Sequence, residues 1–346
     1  MTDLERQGLA AKKAAAVLMT AGTSAKNAAL MAIAKALEEN MAAILAANEK
    51  DMEAARESGM RPALLDRLKL DEKRVRGMAD GVREVAALPD PIGRVDHMET
   101  RPNGLVIGRK RVPLGVIAII YEARPNVTVD AAVLCLKAGN AVILRGGKEA
   151  FRSNSALVDI MRKALRESGL PEDAVSLVQD TSRESVTALL QLTDYIDVLI
   201  PRGGAGLIRH VVENARVPVI QTGVGNCHVY VEKTADLDMA ARIIYNAKCS
   251  RPSVCNAAET LLVDEAVAAE FLPKAKALLD KHNTQLRGCE KTKAILGDSV
   301  APAAEEDYYT EYGDYILAVK VVSGLDEAIA HVNKYGTGHS EAIVTE

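Results

Sequence analysis

Cys255 stands in the stretch RPSVCNAAET at 251–260, between a basic, proline-interrupted segment and the start of an apolar run. An ionised cysteine is a strong nucleophile, and nearby cations favour the thiolate. Lys248 and Arg251 are close in sequence. A free cysteine is also among the most buried residue types. The stretch alone therefore admits two readings, a small core hydrophobe or a thiolate that meets an electrophile. The other cysteines are Cys135, Cys227, Cys249 and Cys289, an odd total of five with no CxxC pair. The six histidines show no HExxH and no paired ligand spacing, so no metal site is expected.

Two glycine-rich stretches offer phosphate chemistry. Arg145-Gly146-Gly147-Lys148 and Arg202-Gly203-Gly204-Ala205-Gly206 each follow an apolar run and precede a helical pattern. Glycine lets a backbone approach a phosphate, the next helix offers unpaired N–H groups, and each loop carries a base. Neither stretch is a GxGxxG or a full P-loop, and plain βα turns would look the same. In YEARPNVTVDAA, Asn126 sits just past an apolar run and just before a helix. Its amide can donate to an oxyanion or cap the turn.

These residues need elements to position them. Ala-rich segments near 8–21, 24–47 and 71–87 carry Leu, Ile and Met at helical spacing, bounded by Gly22, Gly59 and the LPDPIG cluster at 88–93. The stretch 96–112, within DHMETRPNGLVIGRKRVP, predicts a basic, projecting β-hairpin turning at Asn103-Gly104, both turn residues taking positive φ. From Leu114 the pattern alternates: apolar runs GVIAIIY, NAVILR, AVSLVQ, IDVLIP and VPVIQT lie between helical stretches, one of them opened by a Thr181-x-x-Glu184 capping box. Strands apolar on both faces, separated by helices, mean a covered parallel sheet. After Gly223-Val224-Gly225 the theme repeats, with strands HVYVE, ETLLV, one near Gln285, AVKVV and EAIVT, and helices DLDMAARIIYNAK, 266–281 and LDEAIAHVNKYG. The expected fold class is α/β: two doubly wound domains with a helical N-terminal segment and the hairpin. The nucleotide-binding domain is placed at 1–224 and the domain carrying the cysteine at 225–346.

Bulk properties narrow the function. A chain of 346 residues suits two domains. Charged residues make up 26% with a net charge of −4, both signs interspersed, which offers neither nucleic acid nor a membrane surface a large basic field. With no Trp and two Phe, stacking platforms for single strands are not expected. Asp3 and Glu5 precede the first apolar residues, unlike a secretory signal. The densest apolar stretch, 112–121, is about half of a membrane span. Unpaired thiols suit a reducing cytoplasm.

The stretches VPLGVIAIIYEARPNVTVDAA, GNAVILRGGKEA, LIPRGGAGLI, VPVIQTGVGNCHVYV, AKCSRPSVCNAAETLLV and YGTGHSEAIVTE together resemble the aldehyde dehydrogenase superfamily, and within it the γ-glutamyl phosphate reductases. The resemblance spans 112–346. It implies an aldehyde-dehydrogenase-like fold and NADPH-dependent reduction of γ-glutamyl phosphate to glutamate 5-semialdehyde and phosphate, in proline biosynthesis. Cys255 matches the catalytic thiol, which forms a thioester. Asn126 matches the side-chain donor of the oxyanion hole, with the Cys255 N–H as the second donor. Arg145 and Lys148 match positions facing the adenosine ribose, and the lysine suits a 2′-phosphate. The 202–206 loop, with Arg202, Gly203, Gly204 and Gly206, matches the turn over the cofactor diphosphate. Glu311 matches a contact to the nicotinamide ribose.

The substrate carries two anionic groups, so Arg124 and Arg251 are candidate partners. His339, Ser340 and Glu341 form a candidate substrate-side group, with a solvated turn as the alternative. Where hydrolytic relatives carry a water-activating glutamate in an ELGG-type motif, this chain has Ile220-Gln221-Thr222-Gly223. Glutamine cannot act as a general base, so the thioester is expected to survive until hydride or phosphate arrives. Relatives usually continue beyond IVTE with a glycine-rich substrate segment and a subunit-contact strand, so the chain is expected to be C-terminally incomplete. At full length the resemblance implies a homo-oligomer and a functional contact with glutamate 5-kinase. The competing readings are a CoA-acylating aldehyde dehydrogenase and a non-catalytic nucleotide-binding assembly protein.

Overall fold

The computed structural model describes residues 1–221 and 223–346. The chain divides into two compact units, Met1–Thr222 and Gly223–Glu346.

The first unit runs α1 (Asp3–Thr20), α2 (Thr23–Glu39), α3 (Met41–Glu57), α4 (Pro62–Leu68), α5 (Glu72–Ala87), β1 (Val95–Thr100), β2 (Val106–Lys110), β3 (Val116–Tyr121), α6 (Pro125–Lys137), β4 (Ala141–Arg145), α7 (Phe151–Glu167), β5 (Val175–Leu177), α8 (Arg183–Leu189), β6 (Val198–Arg202) and α9 (Ala205–Asn214). Strands β3 to β6 form a parallel sheet in the order β5-β4-β3-β6. Every residue of β3 is buried, as a central strand covered on both faces requires. Each fully buried Val or Ile there contributes about 1.5–3 kcal/mol.

Four expectations for this unit change. The helix at 24–47 is two helices, broken at Asn40 (φ −104°, ψ 18°), whose side-chain amide donates to the Ala36 carbonyl at 2.8 Å. Such side chains compete with the helical ladder, a break that the apolar period does not reveal. The hairpin forms from β1 and β2, antiparallel, but only Gly104 takes positive φ, +82°. The turn is longer than two residues, closed by Arg101 N–H to Leu105 O, and Asn103 Oδ1 accepts the Leu105 N–H. Helix α8 is capped by Ser182, whose hydroxyl accepts the Ser185 N–H at 3.2 Å, so Thr181 is not the cap. VPVIQT makes a single bridge, Val219 to Leu199, and not a strand among the described residues; Pro218 has no N–H to give a ladder. Thr222 lies outside the described residues.

The second unit runs β7 (Cys227–Val231), α10 (Leu237–Cys249), β8 (Ala258–Asp264), α11 (Glu265–Leu279), β9 (Gln285–Gly288), α12 (Glu290–Leu296), β10 (Ala301–Pro302), β11 (Ile316–Val322), α13 (Leu325–Tyr335) and β12 (Glu341–Val344). Its sheet is parallel throughout, in the order β10-β9-β11-β8-β7-β12. The short elements α12 and β10 carry too few residues for a period to show in the sequence. Among the described residues no helix is long and apolar enough to cross a membrane.

Candidate active site

In the second unit the parallel topology does the positioning. All strands point one way, so the segments that enter β7, β8, β11 and β12 meet on the amino edge of the sheet. Cys255 lies three residues before β8, His339 and Ser340 just before β12, and Glu311 shortly before β11. Cys255 is exposed, whereas Cys135, Cys227 and Cys249 are buried and Cys289 is half-buried. Burial pushes the Cys135 thiol up to about 12 and the Cys227 thiol up to about 11, and it raises Cys249 as well. Their thiolates are disfavoured. Arg251 is exposed on the same loop as Cys255, on which Pro252, Ser253 and Ala257 are buried.

Direct contacts join several of these residues. The Cys227 thiol, at the head of β7, lies 3.3 Å from the Cys255 carbonyl oxygen and donates to it. The same sulfur is 3.8 Å from His339 Nδ1, which is 2.9 Å from Ser340 Oγ. Glu341 accepts the His228 N–H at 2.8 Å through Oε2, pinning the start of β12 to β7. Asn226, fully buried, donates to the carbonyls of Tyr308 and Tyr335 at 2.7 and 2.8 Å. The substrate-side group expected at 339–341 is thereby seated beside the backbone of the cysteine loop.

A buried ion pair closes that loop at its base. Lys248, near the end of α10, donates to Glu259 Oε2 at 2.7 Å, and both side chains are about 0–1% exposed. Burial raises the Glu259 carboxyl to about 7 and lowers Lys248, while the attraction between them works against both shifts. The other carboxylate oxygen, Oε1, accepts the Gly313 N–H at 3.1 Å, two residues beyond Glu311.

The first unit presents its candidates on the opposite kind of edge, the carboxyl ends of the strands. The order β5-β4-β3-β6 reverses direction beside β3, and the crevice at such a switch point is where doubly wound sheets hold ligands. Glu122 follows β3 and the 203–204 glycines follow β6. Glu122 Oε2 accepts the Gly204 N–H at 3.1 Å, so an anion already stands at the head of α9. Lys148, in the turn after β4, and Arg202, the last residue of β6, are exposed. Arg145 is turned inward: its Nη2 donates to the carbonyls of Thr181 and Ser182 at 2.7 and 2.8 Å, bracing the loops after β4 and β5. Arg124 is half-buried at the N-cap of α6. Asn126 lies one residue inside that helix, exposed, with its amide donating to Asp130 at 3.2 Å, and does not cap it.

Sequence reasoning missed Cys227, Gly225, Glu259 and Glu122 as parts of the site, and it read Lys248 as a cation beside the thiol, whereas its buried ammonium is paired with Glu259. One signal was present: Glu259 opens ETLLV, an acid at the head of a strand that is buried along its whole length. Such a charge requires a partner. Among the described residues no group of three or more His, Cys, Asp or Glu is placed to hold a metal.

Comparison with known proteins fits this geometry. A model of the aldehyde dehydrogenase family matches residues 2–297. A gamma-glutamyl phosphate reductase of Carboxydothermus hydrogenoformans is 62% identical over 335 residues, 97% of this chain and 80% of that protein. One from Moorella thermoacetica is 62% identical over 343 residues, 99% of this chain and 82% of the relative. The crystal structure of gamma-glutamyl phosphate reductase from Thermotoga maritima superposes with a TM-score of 0.92 at 49% identity, covering 100% of this chain and 83% of that one. A propionaldehyde dehydrogenase of Rhodopseudomonas palustris shares the fold, with a TM-score of 0.72 at 18% identity over 99% of this chain and 82% of its own. An exposed cysteine on the amino edge of one parallel sheet, glycine loops on the carboxyl edge of another, and this degree of identity lead to one assignment: the chain belongs to the aldehyde dehydrogenase family, among its gamma-glutamyl phosphate reductases.

Proposed function

We propose that the chain reduces γ-glutamyl phosphate to glutamate 5-semialdehyde with NADPH, releasing inorganic phosphate. The observation that carries this reading is the placement of Cys255, the exposed cysteine, beside Cys227, His339 and Ser340. The Cys255 thiolate attacks the acyl carbon, the carbon–oxygen bond to phosphate breaks, and a thioester forms on the sulfur. Asn126 is the side-chain donor for the oxyanion, a contribution worth ~100-fold or more in rate where such donors have been removed. The chemistry a reduced nicotinamide supplies when bound is one hydride. Cys255 leaves as a thiolate, ready for the next turnover, when the carbon–sulfur bond breaks and the semialdehyde is released. Gln221, exposed, has no carboxylate to activate water against the thioester.

The residues present fit an anionic dinucleotide. The head of α9 takes an anion, since the Gly204 N–H donates to the exposed Glu122 carboxylate, which must swing away for a diphosphate to take its place, and Cβ atoms added at Gly204 or Gly206 would meet nothing within 4 Å. Lys148, exposed, is the cation for a 2′-phosphate, on a loop held by Arg145. Arg202 and Glu311 serve the diphosphate and the nicotinamide ribose, and Arg124, Arg251, His339 and Ser340 serve the substrate's anionic ends. The exposed apolar residues Val95, Met98, Val106 and Ile107 on the hairpin support assembly with further copies of the chain. The reading extends to a functional contact with glutamate 5-kinase and, from the unpaired thiols, to a reducing cytoplasm.

The test is oxidation of glutamate 5-semialdehyde with NADP⁺, with and without phosphate, with CoA as a third arm. Phosphate-dependent turnover that Cys255→Ala abolishes supports the reading. Acid formation independent of phosphate, or acceptance of CoA in its place, overturns it.

A further inference from the structure

The loop that presents Cys255 is a run of turns between α10 and β8, with Val254 N–H to Arg251 O at 3.2 Å and Ala257 N–H to Val254 O at 3.1 Å, and Cys227 holds the Cys255 carbonyl from β7. Its placement also depends on where its two ends are held. Lys248 stands before the loop and Glu259 after it, and their 2.7 Å contact joins the ends. Glu259 then uses its second oxygen on Gly313, in the segment that bears Glu311. Tyr312, between them in sequence, donates to Asp307 at 2.9 Å, and the same carboxylate oxygen pairs with Arg287 at 2.6 Å. The Arg287 guanidinium lies 5.2 Å from the Tyr312 ring.

We propose that Lys248 and Glu259 are positioning residues for the reaction: their ion pair sets the loop that aims Cys255, and through Gly313 the same carboxylate sets the segment that carries Glu311. The proposal rests on the catalytic role of Cys255 given above. Fold stability is a weak reason for the pair. Removing two charges from water is costly, and well-packed apolar replacements of buried ion pairs are often neutral or stabilising. What an apolar pair lacks is direction. A carboxylate with two oxygens on two different partners fixes the relative placement of both segments, and small misplacements of reacting groups lower turnover steeply.

The experiment uses the full chain and two variants, the paired Lys248→Met/Glu259→Leu and the single Glu259→Gln. Three quantities are read: the rate of Cys255 alkylation by iodoacetamide without cofactor, resolved by peptide mass; kcat against KM for NADPH; and the thermal midpoint. The paired variant is expected to keep its midpoint within a few degrees while kcat falls roughly 10-fold or more, KM for NADPH rises, and Cys255 alkylation changes severalfold. Glu259→Gln keeps an oxygen for Gly313 but loses the charge facing Lys248, so kcat should fall with KM nearly unchanged. Should the paired variant not fold, Glu259→Gln alone decides by that split. Folded variants with wild-type alkylation, kcat and KM overturn the proposal. Failure of the catalytic reading itself would show separately, as wild-type enzyme without phosphate-dependent turnover, while the alkylation rates still report how the loop is held.

Discussion

Gly225 and Cys255 meet backbone to backbone: a Cβ added at Gly225 would lie 1.7 Å from the Cys255 carbonyl oxygen and 3.2 Å from its Cα. No side chain fits there unless the peptide of Cys255 moves. The glycine is required for the space, which any other residue would fill. From the same strand entry, Cys227 reaches the same carbonyl. Cys255 is thus seated from the entry of β7 through both Gly225 and Cys227.

Gly225→Ala should therefore displace Cys255 while leaving the sheet intact. A shift near 1 Å at a reacting atom costs ~100-fold in rate, and a loss of that order in kcat is expected, with Val224→Ala as a nearly silent control. Steady-state kinetics together with the thermal midpoint decide the matter. Unchanged kcat in Gly225→Ala would mean that the contact does not set the nucleophile.

Cys227 contributes a donor more than a second reactive thiol, since burial holds it protonated. Cys227→Ala should cost about 1 kcal/mol of stability for the lost hydrogen bond and lower kcat severalfold. Cys227→Ser, which keeps a donor, should recover most of the rate. Peptide-resolved alkylation should label Cys255 well before Cys227; the reverse order would contradict the burial argument.

Lys148 is the exposed cation on the loop after β4, while Arg145 is engaged with the carbonyls of Thr181 and Ser182. Lys148→Glu should thus lower the preference for NADPH over NADH by roughly 10-fold or more, because it replaces a charge-assisted contact with repulsion. The ratio of kcat/KM values for the two cofactors measures it. An unaltered ratio would move the 2′-phosphate elsewhere.

His331 gives the second unit a pH signature. It is 3% exposed in α13, against the rings of His228, Tyr308 and Tyr335. Burial, then Lys320 and His228, depress it from 6.5 to about 3. Between those values the unfolded chain binds a proton that the folded chain refuses. The stabilisation is complete above about pH 6.5 and is lost as the pH falls through the window, at up to about 1.4 kcal/mol per pH unit. Denaturant unfolding of His331→Phe between pH 4.5 and 7 should show a flatter dependence than wild type. Parallel curves would show that His331 is not the group responsible.

Much of this molecule is written in its local chemistry. Runs such as VIAII and AVIL are apolar at every position, as a strand covered on both faces requires, so the α/β class and most strand positions were legible in the sequence, VPVIQT with its Pro218 excepted. The exposed turn at Gly104 and the glycine loops at 146–147 and 203–204 declared themselves by composition. Local chemistry was weaker where side chains compete with the backbone, as at Asn40, where an unbroken apolar period hides a helix break. It was silent on partners far apart in the chain. Cys227 and Cys255 are 28 residues apart and Cys227 and His339 are 112 apart; only the parallel pairing of β7 with β8 and β12 brings their strand entries to one edge. Cys255 became the candidate nucleophile through the resemblance of its stretch to a family, not through its own position. What holds it in place was decided by the sheet, because contacts between strand ends depend on strand order, and strand order leaves no periodic trace in the sequence.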